Sequence, residues 1–407
     1  MAKIDETGPD IAVVGGGPAG LMAALALATA GVPVTLVARM AAVDNRTSAL
    51  LAGSVSALET IGVWPRCRDK SAPLSVMRIV DDTGRLVRAP ETRFDAAEIG
   101  LEAFGYNIAN SDLVTAMLET AHTLPALTIV DDVVSAVEVA AEYVSLTLAG
   151  GALLTPRLVI GADGRRSLCR EAVGIALDTH AYSQSALTLT FAHSRDHGFT
   201  STEFHTPSGP FTLVPLPGRR SSLVWVLQPK EAERIGALDD AALAALVEER
   251  SQSILGKITL DGERGLFPLS VATASRFAAN RIALVGEAGH VFPPIGAQGL
   301  NLGLRDAAAI AEIAADAVRH GGNFGDDPGA DDRLSAYDQA RRQDITRRSL
   351  AVDLLNRSLL TDFLPVQSAR GFGLYLLDRT GLLRRAVMRE GVTPAGSVPR
   401  LMRGEPI

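Results

Sequence analysis

The stretch Gly15-Gly16-Gly17-Pro18-Ala19-Gly20 decides the fold of this 407-residue chain. The apolar residues 11–14 precede it, a run rich in Leu and Ala follows at residues 21–30, and a second apolar run occupies residues 34–37. This pattern predicts a strand, a glycine turn, a helix and a second strand in close succession. The chain therefore contains the βαβ unit that holds the diphosphate of a dinucleotide.

The glycines of this turn have separate roles. Gly15 permits the tight turn, Gly17 lets the backbone approach the diphosphate, and Gly20 lets the helix pack close to the sheet. An acidic side chain usually ends the second strand and binds the ribose hydroxyls, but Ala38 and Arg39 occupy that place here. The ribose must therefore bind an acceptor elsewhere or be held less firmly, and the turn alone does not separate NAD from FAD.

The composition excludes several classes of protein. With 47% hydrophobic and 21% charged residues, the chain is typical of soluble globular proteins, and its length favours two domains. The net charge of -7 argues against nucleic acid as a partner. Cys67 and Cys169 have neither disulfide nor metal spacing and are expected to be buried. Residues 1–10 lack the basic region of a signal peptide, so we expect a cytoplasmic protein.

Further apolar runs extend the first unit. Residues 158–161 predict a buried strand that leads to Asp163, where a sheet of this class places its ligand. Residues 282–285 predict another buried strand, which precedes a glycine-rich loop and a helix from about Leu302. Ser54 is predicted to cap a shorter helix.

Two later segments differ from this pattern. Residues 185–269 are rich in β-forming residues interrupted by Pro and Gly, which predicts an inserted, mostly antiparallel sheet that binds the substrate. The tail, residues 363–392, interleaves apolar side chains with arginines. A basic amphipathic stretch of this kind lies on a membrane surface, packs on its own domain or packs on a twin subunit, and the sequence leaves these alternatives open.

Three motifs together resemble the class A flavoprotein monooxygenases, typified by para-hydroxybenzoate hydroxylase. They are the turn Gly15–Gly20, the motif Gly161-Ala162-Asp163-Gly164, and Val285–His290 with its continuation Pro293–Asn301. Within that class the chain resembles the ubiquinone-biosynthesis hydroxylases of the UbiH type. The stretches that carry this narrower resemblance are Arg46–Leu50, Gly62–Trp64, Gly296–Asp306 and the tail segment 363–374.

The resemblance implies an α/β fold like that of para-hydroxybenzoate hydroxylase. A Rossmann-type FAD-binding domain would carry an inserted antiparallel β-sheet substrate domain and a C-terminal helical tail. The implied parts are 1–73, 101–184 and 275–355 for the FAD-binding domain, 74–100 and 185–274 for the substrate domain, and 356–407 for the tail.

The resemblance also implies FAD as the tightly held dinucleotide. The residues that it assigns to FAD are Gly15, Gly17, Gly20, Arg46, Asp163, Glu287, Gly299, Leu300 and Asn301. Glu287 stands where this class usually has an Asp that holds the ribityl chain, and the backbone N–H groups of Leu300 and Asn301 would face the pyrimidine edge of the flavin. Pro294 and Gly296 would form a rigid catalytic wall beside the flavin, and His290 is expected to be structural.

The implied reaction is aromatic hydroxylation. NADH or NADPH would bind transiently and reduce FAD, and dioxygen would form a flavin C4a-hydroperoxide whose distal oxygen is transferred to a phenol. The implied substrate is a polyprenylated phenol of ubiquinone biosynthesis, which favours contact of the tail with the inner face of the membrane. A homodimer or a quinone-biosynthesis complex is the alternative partner. His205 and Tyr182 are expected to be ordinary residues, and the sequence identifies no base.

Other functions remain open at this point. The first alternative is an FAD-dependent hydroxylase of a small soluble aromatic compound. The second is a flavin halogenase, which Trp225 disfavours because it lacks a paired tryptophan. The third is a non-catalytic flavoprotein subunit of a quinone-synthesis complex, which the departures at Ala38 and Glu287 keep open.

Overall fold

The computed structural model describes residues 10–39, 44, 46–84, 88, 90–294, 296–320, 327–360, 380–392 and 398–407. The strands are β1 Ile11–Val14, β2 Val34–Val37, β3 Thr47–Leu51, β4 Ser71–Pro73, β5 Val76–Asp81, β6 Thr92–Asp95, β7 Gly105–Ala109, β8 Leu127–Val130, β9 Val134–Val139, β10 Val144–Leu148, β11 Leu153–Leu154, β12 Leu158–Gly161, β13 Leu177–His193, β14 Thr200–Thr206, β15 Gly209–Leu216, β16 Arg220–Leu227, β17 Ile258–Leu260, β18 Gly265–Ala274, β19 Ala278–Ala279, β20 Ile282–Leu284 and β21 His290–Val291. The helices are α1 Pro18–Thr29, α2 Ala52–Thr60, α3 Asn110–Ala121, α4 Leu168–Ala172, α5 Pro229–Gly236, α6 Asp240–Arg250, α7 Gln298–His320, α8 Asp331–Leu360 and α9 Gly381–Val392.

The first sheet has the strand order β19-β20-β12-β1-β2-β8. Its strands run parallel except at the β19–β20 edge. Strands β1, β2 and β12 are buried along their whole length, as expected for a parallel sheet with both faces covered. The predicted βαβ unit at residues 11–37 is therefore present, with β1 at the centre of the sheet.

The second sheet has the order β21-β18-β13-β16-β15-β14-β5-β6, and β17 pairs with β13. It is antiparallel except for the parallel pair of β14 and β5. One face carries aromatic and aliphatic side chains such as Phe211, Leu223 and Trp225, which pack against Leu243 of α6 and Ala232 of α5. The opposite face contacts β3 and β7 through Ser222.

Two smaller sheets complete the β-structure. One has the order β3-β7-β4 and lies between the two large sheets, and the other has the order β11-β10-β9. Asn107 of β7 donates from Nδ2 to the carbonyl of Pro215 at 2.9 Å and to Ser222 Oγ at 3.2 Å. The small sheet therefore joins the β3 region to the free face of the second large sheet.

Several predicted elements differ in detail. Helix α7 begins at Gln298 rather than near Leu302. The last residues of the predicted glycine-rich loop, 298–301, therefore form the first turn of the helix. Helix α2 begins at Ala52 without a side-chain cap, so the prediction that Ser54 caps it is wrong. Cys67 and Cys169 are buried free thiols, which confirms the prediction for both.

The tail is described only from residue 380 onward, apart from residues 393–397, so the predicted segment 363–379 lies outside the described residues. In α9, Arg384 pairs with Glu98 at 2.7 Å and lies over the ring of Phe94. Met388 is buried on the same side of α9, while Leu383 and Val387 are each 46% exposed. Within the described ranges, no helix combines the length and the apolar character needed to cross a bilayer.

Candidate functional site

The glycine turn after β1 is fixed by close packing. Gly15 has a φ of +114° and its N–H donates to the carbonyl of Val37 at 2.9 Å. A Cβ on Gly15 would overlap the carbonyl of Ala162, and a Cβ on Gly20 would overlap the carbonyl of Gly15. Side chains at Gly15 and Gly20 are therefore excluded by the contacts among β1, α1 and the end of β12.

Gly17 differs from these two glycines. Its φ of −72° is ordinary, and a Cβ built on it would meet none of the described atoms within 4 Å. It precedes Pro18, the first residue of α1, whose first-turn N–H groups have no acceptor within the helix. Packing therefore does not require a glycine here, whereas a ligand lying against the helix N-terminus would. The turn fits a bound diphosphate.

Asp163 follows β12 beside this turn. Its Oδ2 accepts a hydrogen bond from the N–H of Cys169 at 3.1 Å, while its Oδ1 is buried and has no hydrogen-bond partner within the described part of the chain. A buried carboxylate oxygen costs free energy unless a donor reaches it. The hydroxyl groups of a dinucleotide would supply such a donor.

Arg170 links the Asp163 loop to the next motif. It is buried, and its Nη1 donates to the carbonyl of Ala288 at 3.0 Å while its Nη2 donates to the carbonyl of Arg165 at 3.0 Å. Arg170 therefore holds the loops after β12 and β20 together. Arg170 is not evident from the sequence, because no motif marks an arginine that binds only backbone carbonyls.

Glu287 and Arg46 lie at the open side of these loops. Glu287 Oε2 accepts from Arg165 Nε at 3.0 Å, and both side chains are about half exposed. Arg46 pairs with Asp44 at 2.8 Å and lies over the ring of Phe267 at 5.6 Å. The Asp44 carboxylate raises the pKa of Arg46 against the effect of burial, and the negative charge of Glu287 adds to this rise. Arg46 is therefore held in its charged form by Asp44, and Glu287 adds to this effect.

The loop before α7 is strained. Gly296 and Ala297 both have positive φ values, of +65° and +55°, and Ala297 is not a residue that favours this region. Pro294, Gly296 and Gly299 are exposed, while Pro293 is buried. Backbone strain of this kind persists only where surrounding contacts hold it.

Asn301 supplies those contacts. Its Nδ2 donates to the carbonyls of Ala297 at 2.6 Å and of Ala49 at 2.8 Å. Its Oδ1 accepts from the N–H of Leu51 at 2.8 Å and from Ser54 Oγ at 2.7 Å. The side chain thus fixes the head of α7 against β3 and α2. The backbone N–H groups of Gln298 to Asn301 form the first turn of α7, where donors lack partners within the helix.

A buried network of charged side chains joins α7 to the loop after β20 and to α8. Asp306 is fully buried, and its Oδ2 accepts from His290 Nε2 at 2.6 Å and from the N–H of Gly286 at 3.0 Å. Its Oδ1 accepts from Arg341 Nε at 2.6 Å. Burial alone would raise the pKa of Asp306, but Arg341 and His290 outweigh it and lower the pKa. His290 is buried in this network, and its structural role stays a prediction.

The free face of the second sheet closes the site on the other side. Thr47 of β3 donates from Oγ1 to Ser222 Oγ of β16 at 2.9 Å. Tyr182 packs edge-on against His180, while His205 is buried and pairs with Glu203 at 2.8 Å. The structure therefore brings the Asp163 loop next to the glycine turn through Ala162 and next to Glu287 through Arg165, while Thr47 links the start of β3 to this sheet.

Comparison with known proteins agrees with this geometry. Residues 9–348 match the family described as "FAD binding domain". The Rhodospirillum rubrum protein named ubiquinone hydroxylase UbiL is 37% identical, over 98% of this chain and 93% of that protein. The Escherichia coli protein named 3-demethoxyubiquinol 3-hydroxylase is 30% identical, over 93% of this chain and 97% of that protein.

Two solved structures share the fold. The p-nitrophenol 4-monooxygenase PnpA from Pseudomonas putida has a TM-score of 0.77 and 23% identity, over 97% of this chain and 100% of its own. Klebsiella pneumoniae HpxO, solved with FAD and uric acid, has a TM-score of 0.75 and 18% identity, over 97% of this chain and 99% of its own. The predicted α/β class, with a Rossmann-type sheet and an inserted antiparallel sheet, is confirmed.

Proposed function

This chain belongs to the FAD-binding-domain family, and from that premise we propose that it hydroxylates the aromatic ring of a polyprenylated phenol in ubiquinone biosynthesis. It is an FAD-dependent aromatic-ring monooxygenase, so the sequence-based predictions of enzyme class and of FAD are confirmed. NADH or NADPH and dioxygen are its co-substrates. The proposal places FAD and the phenol in a cleft between the glycine turn, the Asp163 loop and the free face of the second sheet. The observations that support it are the buried Oδ1 of Asp163, which has no partner in the described part of the chain, and the open space at Gly17.

The residues assigned to FAD are part of the proposal. Gly15, Gly17 and Gly20 would hold the diphosphate against the first turn of α1. The orphaned Oδ1 of Asp163 would accept from a hydroxyl of the cofactor. Arg46 would add a charge-assisted contact to the diphosphate. The open space beside Gly17 supports this arrangement.

The remaining assigned residues lie at the flavin end. Glu287 would accept from the ribityl hydroxyls, in competition with its ion pair to Arg165. The N–H groups of Gly299, Leu300 and Asn301 would face the pyrimidine edge of the ring and stabilise negative charge on the reduced cofactor. Bound FAD supplies the oxygen-transfer chemistry, and the protein orients the phenol and excludes water. Pro294 and Gly296 would form the wall beside the substrate ring.

The tail would bring the enzyme to its substrate. A polyprenylated phenol dissolves in the membrane, and α9 presents the exposed pair Leu383 and Val387 beside Arg385 and Arg389. An apolar stripe flanked by arginines suits the surface of an anionic bilayer. We therefore assign peripheral contact with the inner face of the membrane to α9. A twin subunit or a quinone-biosynthesis complex is the alternative occupant of this stripe.

The function is tested by the quinone lipids of cells that lack this gene. We expect one polyprenyl phenol, short of one ring oxygen, to accumulate, and its mass spectrum to name the ring position. The purified FAD-loaded protein should then oxidise NADH or NADPH faster when that phenol is added. An unchanged lipid profile together with oxidation stimulated only by a small soluble phenol would overturn the proposal in favour of the soluble-aromatic alternative. FAD binding without any stimulated oxidation would favour the non-catalytic subunit.

A further inference from the structure

Glu203 lies on the face of the second sheet that is turned toward the cleft. In the strand register Glu203 of β14 pairs with Thr212 of β15, and Thr212 pairs with Val224 of β16. Directly paired residues of antiparallel strands share one face, as do residues two apart along a strand. Ser222, two residues from Val224, is the partner of Thr47 in β3. Glu203 therefore shares its face with the residue that contacts β3.

The same strand β3 contacts the head of α7. The carbonyl of Ala49, two residues beyond Thr47, accepts from Asn301 Nδ2 at 2.8 Å. Neighbouring strands lie about 4.8 Å apart, so Glu203 is displaced from Ser222 by about 10 Å across the sheet. Glu203 is therefore two strand spacings from the residue that links the second sheet to β3, and β3 in turn binds the head of α7.

The Glu203 carboxylate is held by two donors. His205 Nε2 lies 2.8 Å from its Oε1, and Thr212 Oγ1 donates to its Oε2 at 3.3 Å. The His205 side chain is only 6% exposed, whereas that of Glu203 is 24% exposed. The carboxylate is therefore the member of this group that a molecule in the cleft reaches first, and His205 lies behind it.

The residues that pair directly with Glu203 on the two neighbouring strands, Thr212 and Ile79, are uncharged. Val224 and Ile79 lie in the same cross-strand row as Glu203. The other charged group of the described neighbouring strands on this face is Asp81, which stands opposite His205. Asp81 Oδ1 accepts from the N–H and the hydroxyl of Thr83. An acidic oxygen in an apolar wall is suited to bind a hydroxyl group.

We propose that Glu203 binds the phenol hydroxyl of the substrate and takes its proton, and that His205 and Thr212 position the carboxylate. The inference rests on the proposed hydroxylation of a phenol. In the step, the phenol O–H bond breaks, its proton bonds to a Glu203 oxygen, and the electron pair stays on the phenol oxygen. Electron density rises at the ring carbons ortho and para to that oxygen, which favours attack on the oxygen donor. Glu203 later returns its proton to water.

The test is Glu203→Gln in the FAD-loaded full chain, with a short-chain prenylated phenol as substrate. Glutamine keeps the shape and a hydrogen-bonding oxygen but is a poor proton acceptor. We expect kcat/KM for hydroxylation to fall by about 100-fold, with FAD content unchanged. We also expect the variant to recover as pH rises, because the phenol then ionises without help, and with a fluorinated phenol that ionises more readily.

Matched variants separate this role from folding. Glu91→Gln, which removes the ion-pair partner of Arg78 just before the edge strand β6, should leave hydroxylation unchanged. Thr212→Val keeps the shape of the strand and removes one donor, so we expect a smaller loss of about tenfold together with a shifted pH profile. Equal activity of the wild type and Glu203→Gln would overturn the inference. So would a loss in Glu203→Gln that neither high pH nor the fluorinated phenol restores. Absence of hydroxylation by the wild type would instead overturn the proposed function.

Discussion

The side-chain oxygen of Asn301 lies 2.7 Å from the hydroxyl oxygen of Ser54. The bond joins two segments that are far apart in the sequence, the first turn of α7 and the first turn of α2. Asn301 also binds backbone groups of β3 and the carbonyl of Ala297, whose φ is positive. One amide therefore holds the strained loop in place and fixes where the N–H groups of α7 point.

Asn301→Ala should destabilise the protein and weaken its hold on FAD. The change leaves the Ser54 hydroxyl and several backbone groups without a partner, and buried polar groups without partners cost about 1–3 kcal/mol each. We expect the free energy of unfolding in urea to fall by about 3 kcal/mol. Ser56→Ala removes one hydrogen bond to the carbonyl of Ala52 and should cost less than about 1 kcal/mol. Equal losses in the two variants would contradict this role for Asn301.

Local sequence patterns predicted much of this fold, because the backbone conformation of a turn and the burial of a strand depend mainly on neighbouring residues. The glycine turn follows from the backbone of Gly15, and the buried strands around it follow from continuous apolar runs. Ser54 shows the limit of such patterns. A serine near a helix start is usually a cap, but here its hydroxyl meets Asn301, 247 residues away. No local pattern encodes such a contact.

The candidate site shows the same division. The motifs around Asp163 and Glu287 are visible in the sequence because glycines and acids mark them. Arg170 and Glu203 are not visible in the sequence. Arg170 binds backbone carbonyls of two distant loops, and the face of the sheet on which Glu203 lies depends on the strand register. The register of an inserted sheet decides which face each side chain occupies, and it is set by long-range pairing.

Gly17 and Gly20 should respond differently to alanine. A Cβ at Gly17 meets open space at an ordinary φ, so Gly17→Ala should leave the free energy of unfolding of the apoprotein within about 0.5 kcal/mol. We expect its FAD affinity to fall at least about tenfold, because the methyl group enters the space of the diphosphate. Gly20→Ala overlaps the carbonyl of Gly15 and should impair folding itself. Fluorescence titration of the apoproteins with FAD measures the difference, and wild-type affinity in Gly17→Ala would refute the assigned cradle.

Asp306→Asn should be strongly destabilising at neutral pH. It removes one of the two carboxylates that pair with the buried Arg341 and leaves Asp344 as the remaining partner, so the loss should approach about 3–5 kcal/mol, the cost of a broken buried pair, without exceeding it. The surface pair of Glu231 and Arg234 provides the control, since Glu231→Gln should change the stability by less than about 1 kcal/mol.

The pH dependence of this effect has a definite sign. The folded pKa of Asp306 is lowered from 3.8, so its stabilising contribution is fully present above that pH. The contribution is lost as the pH falls below 3.8 through the folded pKa. The difference in unfolding free energy between the wild type and Asp306→Asn should therefore shrink only in that acidic range. A difference that already disappears between pH 7 and pH 5 would show that another group controls the network.

Helix α9 provides the last prediction, which concerns membrane contact. Leu383 and Val387 are exposed, while Arg384 and Met388 attach an adjacent side of the helix to the body of the protein. The double variant Leu383→Glu with Val387→Glu should therefore fold normally. We expect it to bind vesicles of phosphatidylcholine and phosphatidylglycerol about tenfold more weakly than the wild type in co-sedimentation, because two apolar contacts are lost. Leu153→Glu alters an exposed leucine on β11 and should leave vesicle binding unchanged.

Replacing Arg385 and Arg389 with Gln should reduce the preference for phosphatidylglycerol, since each arginine near an anionic surface contributes about 1 kcal/mol. If all variants pellet like the wild type, the stripe does not meet the bilayer. A double variant that changes only the sedimentation coefficient of the protein would assign the stripe to a twin subunit.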